Sequence, residues 1–395
     1  MKTGRDVVIL SAARTPIGRF LGGLASIPAP QLGSIAIAEA VRRAGIDKDA
    51  VSEVIMGNVL SAGLGQAPAR QAAIRAGLPH SVPATTVNKM CGSGLKAAML
   101  ATQAIALGDA DIVVAGGFEG MSGAPYLLTK ARTGYRLGND RLIDSVLHDG
   151  LTDAYHQIHM GNCAEILARE YRISRIEQDD FARASYSRAL AAMDDGRFGE
   201  EIVPVEVPQP KGEPVVIAED EEPRRVDFEK LGKLRPAFEE NGTVTVANSS
   251  SNSDGAAAVV LAAADVAASL GLRPLARVVG YAGAAMAPEW FTIAPAHATR
   301  ALLEKIGWTK DDVDLYEINE AFAAVVIGVS RDLGISADRV NVHGGAVAMG
   351  HPVGASGARI LTTLLYAMPR YEARRGIAAI CLAGGEAVAM AVERL

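Results

Sequence analysis

No apolar stretch of the sequence approaches the roughly 20 uncharged residues needed to cross a bilayer. The first residues, MKTGRDVVILSAARTP, carry charges on both sides of one short strand-like run. A protein that neither spans a membrane nor is exported is expected. Cysteine is scarce: Cys91, Cys163 and Cys381 form no CxxC pair, and three cannot all be bridged within one chain. Free thiols in a reducing, cytoplasmic compartment are therefore expected. Basic charge is not in excess, since 39 Lys and Arg against 45 Asp and Glu leave a formal charge of -6. That argues against general affinity for nucleic acid or an anionic membrane, so an anionic ligand needs a local basic site. Low-complexity tracts are missing too. The 41 glycines are dispersed through a chain that is 49% hydrophobic, the composition of an ordered protein rich in tight turns. Neither clustered carboxylates nor a CxxC accompany His156 and His159, so no metal site is predicted.

What is present is length and internal repetition. A chain of 395 residues exceeds what one hydrophobic core usually supports. Short β-rich runs alternate with longer helical patterns, which predicts an α/β fold with mainly parallel sheets. Strands are read at DVVILSAARTP, at 51–59 and at 111–117. Several segments recur in the same order. DIVVAGG at 111–117 resembles IAAICLAGG at 377–385, and VSEVIMGNV at 51–59 resembles VDLYEINEA at 313–321. VNKMCGSGLKA at 87–97 resembles VNVHGGAVAMGHPVGASGA at 342–358 with an insertion. The reading is a duplicated α/β unit: 1–118 plus 247–270 form the first half and 271–395 the second. Between them, 119–246 forms an inserted loop domain suited to substrate-binding surface and contacts between subunits. It holds a hairpin-like VPQPKGEPVV and a helix opening at Ser174, with Glu177 completing a capping box, that runs toward Gly196.

Three loops carry candidate chemistry. Cys91, in NKMCGSG, stands at a strand-to-helix elbow, where the positive end of a helix dipole favours thiolate and lowers a cysteine pKa. A buried, inert cysteine is the plainer alternative. His351 lies in the matching glycine-rich loop of the second half, just before a helix expected to start near Ser356. Packing of the two halves about a two-fold-like axis brings it toward Cys91, where an imidazole can take a thiol proton and return it. Cys381 ends the last-but-one buried strand, and strand ends build active sites in open α/β folds. Two thiols aimed at one point make either a redox disulfide or a nucleophile with a second acid/base, and spacing leaves both open. Asn319 and Glu320 follow the strand DVDLYEI; the asparagine can hold a water or a developing oxyanion, or simply cap a helix.

Taken together, AARTPIG at 12–18, NKMCGSG, NEAFA, GHPVGASGAR and the terminal cysteine before a glycine pair resemble the thiolase family over almost the whole chain. The resemblance implies the thiolase fold, duplicated α/β halves in an α-β-α-β-α layering. It also implies ping-pong acyl transfer, with Cys91 acylated, His351 activating it and Cys381 exchanging the α-proton of the second acyl-CoA. His351 with a water held by Asn319 would stabilise the enolate, and the backbone N–H groups of Cys91 and Ala383 the tetrahedral intermediate. Glu320 would orient that neighbourhood. Coenzyme A would be held by Leu151, His159, Met160, Arg224, Phe238, Ser250 and Phe322, as substrate rather than as a permanently bound cofactor. The HMG run at 159–161 resembles short-chain members, so reversible condensation of two acetyl-CoA is the first expectation and 3-oxoacyl-CoA thiolysis in fatty-acid or related metabolism the second. Dimers or tetramers are implied, with 125–140 as the tetramer contact. Three departures stand out. Ala383 and Glu386 interrupt the usual Cys-x-Gly-Gly-Gly; Ser249-Ser250-Ser251 replaces Ala-Ser-Gly; and Trp290-Phe291-Thr292 stands where Met-Gly is commoner. A decarboxylating ketoacyl synthase, which puts His or Asn where this chain has Cys381, and a non-catalytic acyl-CoA-binding protein are the competing readings.

Overall fold

Numbered in chain order, the main elements are β1 (Val7–Arg14), α1 (Ala29–Ala44), β2 (Glu53–Gly57), α2 (Pro68–Arg75), β3 (Ala84–Val87), α3 (Ser93–Leu107), β4 (Ile112–Gly120), α4 (Met160–Glu170), α5 (Arg175–Asp194), β5 (Ser253–Ala263), β6 (Ala276–Ala285), α6 (Ala294–Ile306), β7 (Leu315–Ile318), α7 (Ala323–Leu333), α8 (Val353–Arg370), β8 (Arg375–Leu382) and β9 (Glu386–Arg394). The computed structural model describes residues 4–395; residues 1–3, the start of the first predicted half, lie outside the described part.

Why the strands are continuous apolar runs follows from their covering. Every residue of β1 and β5 is buried, and strand alternation sends successive side chains to opposite helical layers. Val7 and Ile9 join a central core with α3 and α8, whereas Val8 and Leu10 face α1 and α2. In the second half Ala378 and Ile380 point to the same central core, while Ile377, Ala379 and Cys381 pack toward α6 and α7. The result is five layers, α-β-α-β-α, with α3 and α8 as the shared middle. The strands run β7-β8-β9-β6-β1-β5-β4-β2-β3. The two halves of the sheet meet only through a short pairing of Val8 and Ile9 with Arg277 and Ala276.

The pairing directions correct the expectation of mainly parallel sheets. Only β2–β3, β2–β4 and β7–β8 are parallel; the other pairings of this sheet are antiparallel. The cause lies at the end of each half, where the last strand returns beside its neighbour instead of crossing over a helix. β8 and β9 turn through Ala383, Gly384 and Gly385, and the two glycines take φ of 91° and 83°, a conformation that suits residues without Cβ. The repeat itself is visible in the ladders: β2 lies parallel between β3 and β4, and β7 lies parallel to β8 with a parallel bridge to Val340 on its other side.

Two glycines set how the middle layer packs. A Cβ on Gly94 of α3 would lie 2.8 Å from the Ala358 backbone nitrogen, and one on Gly357 of α8 would lie 2.5 Å from that of Leu95. The first turn of α3 and the second turn of α8 therefore touch backbone to backbone. Each turn follows one of the candidate loops. Helix α8 begins at Val353, three residues before the predicted Ser356, so His351 precedes its N-cap, Pro352. In the inserted segment the predicted capping box at Ser174 and Glu177 is formed. The hairpin pairs Val205–Val207 with Val215–Ile217. No helix among the described residues is long and apolar enough to cross a membrane.

Candidate active site

Cys91 stands one residue before the N-cap of α3. The elbow that presents it is tight: Met90 takes a left-handed φ of 46°. The Ser93 hydroxyl donates to Met90 O at 2.6 Å and accepts from Lys89 N at 2.8 Å. A Cβ on Gly92 would meet Leu382 Cδ2 at 2.0 Å, so the elbow packs directly on the end of β8. Lys89 forms an ion pair with Glu386, which gives one departure from the family pattern a structural role: it ties the Cys91 loop to the hairpin carrying Cys381. The backbone N–H groups of Ala383 and of Cys91 itself favour the charged form of the thiol.

The balance of effects at Cys91 differs from the one expected. Burial pushes the thiol up to about 11, and the two N–H groups only partly offset it. Desolvation of the charged form outweighs the helix terminus, so the resting group is a thiol. Cys381, fully buried on β8, is also pushed up, first by burial and then by the neighbouring Cys91.

His351 is its natural counterpart. Burial, helped by the Arg359 charge, lowers the imidazole to about 3, so it is neutral. Its Nδ1 lies 2.5 Å from the Ser356 hydroxyl, which itself donates to Pro352 O at 3.0 Å. That chain assigns the proton to Nδ1 and leaves Nε2 as the free base, 3.5 Å from Asn319 Nδ2. Asn319 is fully buried and its Oδ1 has no partner. It is not a helix cap, since α7 is capped by Phe322. Glu320 accepts from Ser185 Oγ at 2.7 Å, Asn341 Nδ2 at 2.9 Å and Val347 N at 3.1 Å, so it clamps the histidine loop to α5.

A cavity of about 350 Å³ opens onto these groups, lined among others by Cys91, His351 and Ala383. Leu151, His159, Met160, Phe238, Ser250 and Phe322, predicted for coenzyme A, all line it as well. His159 Nδ1 accepts from Gly161 N at 3.0 Å, and its ring stacks on Phe238 with centroids 4.8 Å apart. Phe238 meets Phe322 edge-on at 6.1 Å. The wall is thus apolar and aromatic with a few polar groups, the make-up of a small-molecule site. Asn319, Glu320 and Cys381 stand behind this wall rather than on it. Arg224 does not line the cavity: its guanidinium is held at the surface by Glu219 at 2.8 Å and Asp194 at 3.0 Å, the ordinary fate of an exposed arginine among acids.

Sequence reasoning missed two kinds of residue. Val246 and Leu147 line the cavity but carry no motif, whereas Phe291, which also lines it, belongs to the Trp290-Phe291-Thr292 departure noted in the sequence. Glu119, at the end of β4, accepts from Asn58 Nδ2, Val59 N, Leu60 N and, across the halves, Gly354 N at 2.8 to 3.1 Å. A carboxylate inside the otherwise apolar run IVVAGGFEG was its only signal.

Comparison with known proteins agrees with this architecture. Family models described as the N-terminal and C-terminal domains of thiolase match residues 7–265 and 272–394. The chain is similar to the acetyl-CoA acetyltransferases of Pseudomonas aeruginosa, 54% identical with 99% of this chain and 100% of that one covered, and of Cupriavidus necator, 54% identical with 98% and 99% covered. It is 51% identical to the mitochondrial acetyl-CoA acetyltransferase of Bos taurus, over 100% of this chain and 92% of that one. Among solved structures, the acetyl-CoA acetyltransferase of Bacillus anthracis superposes with a TM-score of 0.98 at 41% identity, both chains fully covered. A thiolase of Ascaris suum in complex with coenzyme A superposes with a TM-score of 0.94 at 44% identity, with 99% of this chain and 100% of that one covered. The close approach of α3 and α8 at Gly94 and Gly357, which brings a cysteine loop of one half toward a histidine loop of the other, is therefore the frame of a known fold, and the chain belongs to the thiolase family.

Proposed function

We propose that the chain is an acetyl-CoA C-acetyltransferase, condensing two acetyl-CoA reversibly to acetoacetyl-CoA and coenzyme A through an acyl group on Cys91. The observation that carries the reading is the Cys91 thiol on the cavity wall with Ala383 and a neutral His351 imidazole on the same wall, where the Cys91 and Ala383 N–H groups favour the thiol's charged form. Full-length relatives at 50–54% identity with that name support the substrate; the longer-chain 3-oxoacyl reading gains no such support.

The steps balance as follows. His351 Nε2 takes the Cys91 proton, and the thiolate attacks the acetyl carbonyl while the Cys91 and Ala383 N–H groups hold the oxyanion. Coenzyme A leaves as thiolate and takes the Cys381 proton. Cys381, now a thiolate, removes an α-proton from the second acetyl-CoA, and Asn319 with His351 stabilises the enolate. The enolate attacks the acyl-Cys91 carbonyl; Cys91 departs and recovers its proton from His351. Every group returns to its starting form, which suits thiols whose resting state is protonated.

Leu151, His159, Met160, Phe238, Ser250 and Phe322 would cradle the pantetheine arm. The division into 1–118 plus 247–270, 119–246 and 271–395 belongs to the same reading, as does a homotetramer. For the tetramer, exposed Tyr126, Leu128, Leu137 and Leu142 in and beside 125–140 supply apolar contact area. Three free cysteines suit a reducing, cytoplasmic setting within fatty-acid metabolism. The test is thiolysis of 3-oxoacyl-CoA substrates from C4 to C16 with free coenzyme A. Activity concentrated at C4 is expected; equal or greater turnover at C8 and beyond would replace the acetyl reading with the longer-chain one. No turnover on any of them would overturn both.

A further inference from the structure

Behind the cavity wall, two buried ionisable side chains face each other without a hydrogen bond. Glu317 on β7 and Arg359 on α8 are each 2% exposed, and Arg359 Nη1 comes no closer than 3.5 Å to Glu317 Oε2. Both carboxylate oxygens of Glu317, and Nε and Nη1 of Arg359, have no hydrogen-bond partner. Burial pushes the Glu317 carboxyl up to about 8 and lowers the Arg359 guanidinium from its usual value, so their charged forms are disfavoured in place; stability does not account for such a pair, because a loosely aligned contact does not repay that desolvation and an apolar pair of similar volume serves at least as well.

Position does account for it. Glu317 precedes Asn319 by two residues, so on an extended chain the two side chains leave the same face. Arg359 lies in the second turn of the helix that follows His351, close enough for its charge to be felt at the imidazole. The pair thus spans the gap between the strand delivering Asn319 and the helix delivering His351, whose side chains are 3.5 Å apart. The groups around it are accounted for elsewhere. Glu201 is bound to Arg14 at 2.6 Å, Glu320 to Ser185 and Asn341, and Arg188 to the carbonyls of Val340 and Ala337. Elsewhere around the histidine, Ser356 meets its Nδ1 and Cys91 shares its cavity wall, while Cys381 and Glu119 neighbour Cys91.

We propose that Glu317 and Arg359 are a positioning pair that fixes the mutual orientation of Asn319 and His351, and so the rate of proton transfer at Cys91, without touching acyl-CoA. This rests on the roles proposed above for Asn319 and His351.

The test uses full-length Glu317→Gln, Arg359→Met and the double variant Glu317→Leu/Arg359→Met, read by acetoacetyl-CoA thiolysis and by thermal unfolding. The expected result is a KM for coenzyme A within about two-fold of wild type and a kcat at least ten-fold lower in each. In Arg359→Met the acid limb of kcat/KM should move to higher pH, because the cation that suppresses imidazole protonation is gone. The double variant removes both charges and should regain thermal stability lost by either single change, but not kcat. Recovery of kcat together with stability, or single variants that lose stability while kcat and the pH profile stay put, would make the pair merely structural. Failure of the underlying reading looks different: wild type would cleave no acetoacetyl-CoA, or Cys91→Ser would still do so.

Discussion

At the scale of single residues, the decisive fact is that burial overrides the helix terminus at Cys91. A thiol held near 11 on the same cavity wall as a neutral imidazole suits the proton transfer proposed above rather than a resting thiolate–imidazolium pair. Alkylation of Cys91 by iodoacetamide should therefore rise with pH across 7 to 10, close to ten-fold per unit. A rate that levels off above pH 5 would reveal a low-pKa thiolate and contradict the assignment. Cys163 and Cys381, both fully buried, should stay unmodified in the native protein. Cys91→Ser should abolish acyl-enzyme formation. Cys381→Ser should keep a slowed exchange of acetyl groups into labelled coenzyme A, since solvent can protonate the departing thiolate, while condensation collapses; equal loss of both reactions would contradict the division of labour. Motif residues such as Cys91 and His351 were legible in the sequence because each marks itself by the glycines around it. The pKa of Cys91 was not, because it depends on what the far half of the chain packs over the sulfur.

Elements contribute through the places where they end. The α5 cap is an isolated case: Ser174 accepts from Glu177 N while Glu177 returns a bond to Ser174 N, and Ser174→Ala should cost ~1 kcal/mol in urea unfolding. The α3–α8 contact concerns function. Gly357→Ala would drive a methyl to 2.5 Å from the backbone of α3, so a loss of ~1–3 kcal/mol and a disproportionate fall in kcat are expected. Gly232→Ala is the control, with nothing within 4 Å of the added carbon. Wild-type kcat in Gly357→Ala would show that the helix contact does not set the site. Element existence was readable from apolar runs and caps, as at β1 and α5. Strand direction was not: β9 reads in sequence like a strand of either sense, and only the hairpin at Ala383–Gly385, read as part of a motif, decides it.

On the scale of the whole molecule, two buried histidines make folding depend on pH. His351 and His343 are lowered from 6.5 to about 3 and about 4, both chiefly by burial. Between those values and 6.5 each of these histidines is protonated in the unfolded chain but not in the folded one, so its contribution to stability is full above pH 6.5 and declines as pH falls toward 4. The slope should reach ~1.4 kcal/mol per pH unit for each histidine. Buried carboxyls pull the other way, since burial raises Glu119 to about 7 and Glu317 to about 8, so the histidine part is read as a difference: between pH 7 and 5 the urea midpoint of His343→Asn should gain on that of wild type, and an unchanged difference would contradict the burial of that ring. The duplicated plan was legible because it repeats in order along the chain, whereas Glu119, the buried carboxylate that joins the halves, and the Glu317–Arg359 pair buried within the second half leave no periodic trace. The bare approach of α3 to α8 has one more consequence. Where a glycine on each helix meets the backbone of the other, no rotamer is available at that point to take up slack, so the gap between the two loops behaves as a fixed gauge. Acyl groups of different size must then be accommodated by the walls around that gap and never by widening it.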